Sequence, residues 1–319
     1  MNPLELSKQS KARLKKGSKS FAWASWFFPK ELREDVAHLY SWCRECDDVT
    51  DGSTLGWHQN LNGLSRDRVE VLEYKTQLAI HDPEADVDLP FVVFGRVMRK
   101  YDIPWVYAQD LLKGMSQDVQ NTTFQTFDDL KIYCYRVAGT VGVMMCYLLG
   151  LKNSQALGNA VDLGIALQLT NIARDLGDDN RVGKNYLPID WMIEFGVDRD
   201  YLLNPAQSQN LEALCQQLLK EADNYYKSGL RGLVFLPWRC ALAVGMAAFV
   251  YRSIGVQVLK RGFQAWQSRV FVSKAGQVIA LFKGLWFFIK TLRQRFFQSR
   301  LTTSIDRSWR YLGDICEKS

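Results

Sequence analysis

Strand signals are scarce in this chain of 319 residues. Strict alternation of apolar and polar residues is rare, whereas helical spacing of apolar residues recurs between turns rich in Gly, Pro, Asn and Asp. The chain also lacks internal repeats, low-complexity segments and a recognisable linker. The sequence therefore predicts one all-α domain over residues 1–319, not a sheet-based or multidomain protein.

Paired cysteines are also lacking. Seven cysteines are scattered along the chain, and the C-x-x-C formed by Cys43 and Cys46 has no second pair to complete a zinc site. An odd, scattered set does not favour a disulfide framework either. We expect reduced and mostly buried thiols, as in a cytoplasmic protein.

Long hydrophobic runs are missing as well. No uncharged apolar run reaches the ~18 residues that a spanning helix needs, so none is expected. The N-terminal residues carry charge without an apolar core, so a signal peptide is not expected. The chain is nevertheless 47% hydrophobic and contains ten tryptophans. This composition favours an apolar cavity or a membrane-facing surface.

The formal net charge of +6 favours an anionic partner, such as a diphosphate or an acidic lipid. Nucleic acid is disfavoured because the basic runs contain no recognisable binding module. Residues 276–300 form a basic, aromatic and amphipathic segment, which either lies on an anionic membrane or closes the helical bundle. We expect a cytoplasmic protein, which binds peripherally to the inner face of the membrane in the first of these two cases.

Two acidic clusters are the strongest functional signal. Asp47 and Asp51 are four residues apart, as are Asp175 and Asp179, so each pair lies on one helix face with Cβ atoms ~6 Å apart. Carboxylates held this closely repel one another unless a cation lies between them. Mg²⁺ prefers oxygen ligands and leaves positions open for substrate phosphates. The pattern predicts diphosphate held from two sides through Mg²⁺, with Mn²⁺ as an alternative.

Helical phasing extends both clusters into longer polar stripes. Tyr40 and Arg44 precede Asp47 on one face, and Gln168 and Asn171 precede Asp175 on another. One such stripe alone is typical of a solvated helix face. These stripes, however, are rich in Asp, a poor helix former, and the pattern occurs twice. The repetition favours a binding site.

Five sequence blocks occur in a characteristic order. They are GSKSF at 17–21, LYSWCR at 39–44 leading into DDVTD at 47–51, YCYRVAGTVG at 133–142, LQLTNIARD at 167–175 and RVGKNYLP at 181–188. In these blocks, and over about residues 10–290, the chain resembles the squalene/phytoene synthase family. It departs from the family at Lys184, where many members carry arginine.

The resemblance implies a fold and a set of site residues. The fold is the all-α isoprenoid synthase bundle around a central cavity. The implied metal ligands are Asp47, Asp51, Asn171, Asp175 and Asp179. The four aspartates are also implied in catalysis, together with Tyr40 and Arg44. The implied substrate-binding residues are Ser18, Lys19, Ser20, Phe21, Tyr40, Arg44, Tyr133, Gln168, Arg174 and Tyr251.

The resemblance also implies a reaction. Two geranylgeranyl diphosphates condense head to head through the cyclopropylcarbinyl intermediate, prephytoene diphosphate, and give phytoene and diphosphate, the first step of carotenoid biosynthesis. The cavity must exclude water, and aromatic faces stabilise the carbocation. NADPH is not expected, because no G-x-G-x-x-G follows a strand. Downstream carotenoid enzymes are possible partners.

Several alternatives stay open. A fifteen-carbon substrate would give dehydrosqualene, squalene or presqualene diphosphate. A head-to-tail elongase, a terpene cyclase and a non-enzymatic scaffold fit the four aspartates and the Gln-x-x-Asn less well. Small residues at Ser25 and Ala37 are predicted to leave room for twenty-carbon tails, although close helix contacts would explain them equally.

Overall fold

The computed structural model describes residues 10, 28–50, 65–268 and 274–297. These residues contain helices and turns and no strand, which confirms the all-α expectation. The α-helices are α1 (Lys30–Thr50), α2 (Ser65–His81), α3 (Leu89–Tyr101), α4 (Trp105–Val119), α5 (Phe127–Cys134), α6 (Thr140–Leu148), α7 (Ser154–Arg181), α8 (Ile189–Glu194), α9 (Ser208–Arg231), α10 (Trp238–Arg261), α11 (Gln264–Gln267) and α12 (Lys274–Phe297). Two short 3₁₀ turns cover Pro205–Gln207 and Gly232–Phe235.

Local side-chain chemistry explains where the cavity-forming helices begin. Thr126 and Asp129 form a reciprocal capping box at the start of α5, in which the Thr126 hydroxyl accepts from the Asp129 amide. Asn153 caps α7, since its Oδ1 accepts from the Ala156 amide at 2.8 Å. These caps fix the helices that carry the third and fourth sequence blocks.

The helical segment from α5 to α6 contains an interruption. A π turn at Tyr135–Gly139 separates α5 from α6. Beside it, the backbones of the α5–α6 segment and α7 touch: a Cβ on Gly164 would lie 2.6 Å from Ala138 O, and one on Gly142 would lie 2.6 Å from Ala160 O. Only glycine permits this approach, which explains why the segment is rich in small residues.

Helix α7 runs through the centre of the bundle and contacts α6, α9, α10 and α11. Its apolar stripe is buried, with Ile165, Leu169, Ile172 and Leu176 each at most 4% exposed. Burial of this stripe fixes the rotation of α7, and Gln168 and Asn171, which lie beside the stripe on the helix surface, line the cavity.

Helix α10 differs from the expectation that the chain contains no helix able to span a membrane. Among the described residues, α10 is long and apolar enough to do so by length and composition alone. It packs against α7, α9 and α12, and its Val244, Ala247 and Tyr251 line the cavity. Packing within the bundle and the cavity wall therefore account for the apolar residues of α10.

The thiols follow the expectation. The six cysteines in the described ranges are free, and five of them are buried. Cys43, the half-buried member, lies on the cavity wall beside Arg44. Burial raises the pKa of Cys43 far above its ordinary value, which keeps the thiol protonated and unreactive.

Candidate active site

A cavity of about 520 Å³ lies between α1, the α5–α6 segment, α7, the 3₁₀ turn at Gly232–Phe235 and α10. Most of its wall is apolar and includes Phe28, Val36, Leu39, Val141, Leu163, Leu233 and Ala248. Such a space accepts hydrocarbon and excludes water.

The polar residues of the wall come from the helices that carry the two acidic clusters. Tyr40, Arg44 and Asp47 of α1 line the same cavity as Gln168 and Asn171 of α7. We call these five residues the polar end of the cavity. The structure thus brings these members of the two predicted stripes to one cavity, whereas Arg174, Asp175 and Asp179 lie further along α7 and do not line it.

Tyr251 of α10 joins the two sides of the polar end. It lies on the cavity wall and interacts electrostatically with Tyr40 on α1 and with Arg174 on α7. Burial raises the pKa of Tyr40 to about 12, with Arg44 opposing the rise and Asp47 adding to it. Tyr40 is therefore neutral at physiological pH and can donate a hydrogen bond.

The second acidic cluster continues along α7 beyond Asn171. The guanidinium of Arg174 forms a bidentate ion pair with the adjacent carboxylate of Asp175: Nε donates to Oδ1 at 2.7 Å, and Nη2 pairs with Oδ2. Burial lowers the pKa of Arg174, but the hydrogen bond and charge of Asp175 outweigh that effect and raise it overall. Arg174 therefore supplies positive charge directly at the cluster.

Asp179 is the member of this cluster whose negative charge is disfavoured by its surroundings. Burial, followed by the charge of Asp175, raises its pKa to about 7, although Lys184 partly offsets the rise. The charge of Lys184 thus acts on the cluster. A second positive charge near Asp179 would relieve the carboxylate repulsion.

The residues present fit a divalent cation bound jointly with substrate. Asn171 Oδ1 is buried and has no hydrogen-bond partner, so it offers a free ligand oxygen beside the carboxylates. Within the described ranges no three His, Cys, Asp or Glu residues form a metal cluster. Mg²⁺ is commonly held by one or two carboxylates, waters and substrate phosphates, so the donor set matches that mode of binding.

Arg44 has a partner that the sequence reasoning did not identify. Its Nη2 lies 2.6 Å from Oδ1 of Asp48, one helical turn away, and the Asp48 side chain is only 7% exposed. The half-exposed guanidinium is thereby held at the edge of the cavity, where it can contact an anionic group.

Tyr133 does not line the cavity. Its buried hydroxyl donates to Asp118 of α4 at 2.8 Å, and its ring stacks on Tyr186 at 5.3 Å between centroids. Tyr186 also donates to Asp118, at 2.9 Å. The charge of Asp118 in turn contributes to the raised pKa of Asp179, so this cluster lies close to the second acidic cluster.

Sequence reasoning missed Asp118 and gave Tyr186 no function. One signal was available: Asp118 lies in the last turn of α4, where the helix dipole disfavours a negative charge. An acidic residue in that position indicates compensation by tertiary contacts, which the two tyrosines provide.

Several predicted site residues lie outside the described residues, namely Ser18, Lys19, Ser20, Phe21 and Asp51. Ser25, which is predicted to leave room for a long substrate tail, lies outside them as well. Ala37 is described and is fully buried, but it is not on the cavity wall; its neighbours Val36 and Leu39 are. For Ala37 the structure therefore favours a helix contact over a cavity-facing position.

Comparison with known proteins identifies the family. The family model for squalene/phytoene synthase matches residues 14–276. A 15-cis-phytoene synthase of Enterobacter agglomerans is 42% identical over 259 residues, which is 79% of this chain and 86% of the relative. The chain belongs to the squalene/phytoene synthase family.

Further members of the family agree with this assignment. A 15-cis-phytoene synthase of a Paracoccus species is 40% identical over 270 residues, which is 85% of this chain and 88% of the relative. A crystal structure of a dehydrosqualene synthase in complex with ligand superposes with a TM-score of 0.78 at 28% identity, covering 90% of this chain and 98% of that one. The isoprenoid synthase fold is thereby confirmed.

The repulsion at Asp179 leads to a stability prediction for the metal-free protein. A carboxyl whose folded pKa is raised destabilises the fold at high pH, and the penalty disappears as pH falls through the folded value of about 7 towards the unfolded value of ~4. Asp179→Asn should therefore stabilise the protein by ~1–2 kcal/mol above pH ~8, discounted for partial exposure.

Differential scanning calorimetry across pH in the presence of a chelator tests this. The Tm difference between Asp179→Asn and wild type should be a few degrees at alkaline pH and should vanish towards pH ~4. Added Mg²⁺ should raise the Tm of wild type more than that of the variant. A variant less stable than wild type at alkaline pH would contradict the electrostatic assignment.

Proposed function

We propose that this member of the family is a phytoene synthase, a prenyltransferase that condenses two geranylgeranyl diphosphates into phytoene. The observation that carries the proposal is an apolar cavity with one polar end, to which two acidic helices contribute. The 40–42% identity to curated 15-cis-phytoene synthases supports the same reaction. Phytoene formation is the entry to carotenoid biosynthesis.

We propose Mg²⁺ as the metal, with Mn²⁺ as a substitute. Asp47, Asn171, Asp175 and Asp179 are the described residues that would hold it, with Asp51 completing the first cluster. When bound, the metal neutralises negative charge on the departing diphosphate. No redox cofactor is needed, because the proposed reaction ends in loss of a proton.

The chain's own side chains have three functions in this reaction. Arg44 and Arg174 bind diphosphate oxygens and stabilise the charge that develops as the C–O bond breaks. The rings of Tyr40 and Tyr251 line the cavity, where an aromatic face stabilises an allylic cation. The apolar wall keeps water from quenching the cation.

The length of the cavity favours twenty-carbon substrates. Ala156 and Asn171 both line it, and they are ~22 Å apart along α7 at ~1.5 Å per residue. With carbon–carbon bonds of ~1.5 Å, an extended twenty-carbon prenyl chain is ~19 Å long and a fifteen-carbon chain is ~14 Å long. The longer chain uses the full depth of the cavity.

Product analysis tests the proposal directly. Purified protein with Mg²⁺ should convert geranylgeranyl diphosphate to a forty-carbon hydrocarbon without NADPH, and should prefer it to farnesyl diphosphate in competition. A thirty-carbon product under competition, a strict requirement for NADPH or release of the cyclopropyl diphosphate as end product would each assign a different reaction.

For location, we propose a cytoplasmic enzyme associated peripherally with the inner face of the membrane. The proposed substrate carries a long hydrocarbon tail and the proposed product is a hydrocarbon, so both partition into lipid. Enzymes that consume the hydrocarbon product are the natural partners at the same surface. Fractionation of cells at low and high salt tests this location, and a fully soluble protein at low salt would contradict it.

A further inference from the structure

The outer face of α12 is an exposed apolar stripe. Six large apolar side chains, between 37% and 66% exposed, form it: Val278, Ile279, Phe282, Leu285, Trp286 and Ile289. At ~100° per residue they fall within an arc of ~120° on the helix surface, so they form one continuous band. We call this band the α12 stripe. Exposed apolar patches of this kind are uncommon on soluble proteins and indicate a binding surface.

The opposite face of α12 is already packed. Ala280 and Phe288 are buried, and the ring of Phe287 lies 5.6 Å from that of Phe249 on α10. A Cβ on Gly284 would lie 2.9 Å from the Cα of Met246, so the backbones of α10 and α12 are in contact. The helix is thus anchored by one face, and the α12 stripe is not needed for that anchoring.

The charge around the α12 stripe has one sign. The sequence contains no Asp or Glu from residue 261 to residue 305, but several Lys and Arg. Lys283 and Lys290 are exposed at the edge of the stripe, and Lys290 Nζ lies 5.7 Å from the ring centroid of Trp286. A band of Trp, Phe and aliphatic residues bordered by lysines matches the interface of a bilayer with acidic headgroups.

We propose that the α12 stripe docks this protein on an anionic lipid bilayer. The apolar band enters the boundary between headgroups and acyl chains, while Lys283 and Lys290 contact the acidic headgroups. A second copy of this chain would bury the same apolar area, but its own α12 brings no acidic residue to meet Lys283 and Lys290.

Helix α12, which carries the docking surface, lies next to the hydrocarbon end of the cavity. The 3₁₀ turn at Gly232–Phe235 supplies Gly232 and Leu233 to the cavity wall and also contacts α12. That end is far from the polar end, so a hydrocarbon tail points towards the membrane while diphosphate stays at the opposite side. This link to catalysis rests on the proposed function; the docking itself does not.

Vesicle flotation with the full chain and no substrate tests the docking. The vesicles contain phosphatidylcholine alone or phosphatidylcholine mixed with phosphatidylglycerol. The test variants are Phe282→Glu/Trp286→Glu, which breaks the band, and Lys283→Gln/Lys290→Gln, which removes two charges. Ile193→Glu is the matched control, because Ile193 on α8 is 76% exposed and lies outside the stripe.

Wild type and the Ile193→Glu control should bind the anionic vesicles, and more weakly at high salt. The lysine variant should bind them ~25-fold more weakly, at about fivefold per charge, with no change on neutral vesicles. The Phe282→Glu/Trp286→Glu variant should lose at least about tenfold on both. Its turnover in detergent micelles should equal that of wild type, but should fall when vesicles are the sole acceptor of product.

Failure of wild type to bind anionic vesicles would overturn the docking proposal, as would wild-type binding by Phe282→Glu/Trp286→Glu. Light scattering tests the alternative that a second copy of this chain covers the stripe. If wild type is a dimer that does not bind vesicles, and the Phe282→Glu/Trp286→Glu variant is a monomer, the stripe serves self-association. Flotation needs no substrate, so a failed docking surface is distinguishable from a wrong assignment of the reaction.

Discussion

Asp175→Asn is expected to lower kcat by at least about 10³-fold while leaving the helical circular dichroism signal unchanged. Both carboxylate oxygens of Asp175 bind the Arg174 guanidinium, and Asp175 also contributes to the raised pKa of Asp179. Asparagine keeps the shape but removes the charge on which cation binding and the placement of Arg174 depend. Steady-state kinetics and calorimetric titration with Mg²⁺ measure the two consequences separately.

Asp178→Asn is the matched control for this prediction. Asp178 is also an aspartate of α7, but its side chain is 51% exposed and its Oδ1 lies 2.5 Å from Arg181 Nη1. Loss of one exposed ion pair should change turnover by less than about twofold. Equal losses of turnover in the two variants, or normal Mg²⁺ binding by Asp175→Asn, would contradict the assignment of Asp175 as a metal ligand.

The part of the site that follows from local periodicity was predictable from the sequence. Ile165 and Leu169 must be buried if α7 is a core helix, and this fixes the rotation of α7 that brings Gln168 and Asn171, beside them on the helix surface, to the cavity wall. The same argument places Asp47 on the cavity side of α1. Amphipathic phasing depends on one helix at a time, so it needs no knowledge of the tertiary structure.

The part that depends on contacts between distant segments was not predictable. Asp118 becomes relevant only because Tyr133 and Tyr186, distant in sequence, both donate to it. The π turn at Tyr135–Gly139 likewise follows from close packing against Gly164 of α7. One sequence contains the residues of such clusters but not their distances.

Ala37 illustrates how a small phase difference affects a functional argument. Neighbouring residues of a helix point ~100° apart, so Val36 can line the cavity while Ala37 packs against another helix. The residues that leave room for a long tail must therefore be among those that line the cavity. On α7 these residues include Ala156, Ala160, Leu163 and Leu167.

Ala160→Phe is expected to change the substrate preference from twenty to fifteen carbons. Ala160 lies on the cavity wall ~16 Å from Asn171 along α7, beyond the end of a fifteen-carbon chain but beside the last isoprene unit of a twenty-carbon chain. A misfit of about one methylene costs 10–200-fold in specificity. We expect kcat/KM for geranylgeranyl diphosphate to fall by about 100-fold, and that for farnesyl diphosphate to change by less than about threefold.

Leu167→Phe is the control that separates a length effect from general damage. Leu167 lies on the same wall but only ~6 Å from Asn171, so added bulk there meets the tails of both substrates. Competition assays with product identification should show both activities reduced in Leu167→Phe and a thirty-carbon product favoured in Ala160→Phe. Equal losses on the two substrates in Ala160→Phe would mean that the added bulk affects both tails alike, and unchanged activity on both would mean that the tail does not run along α7; either result would contradict the length assignment.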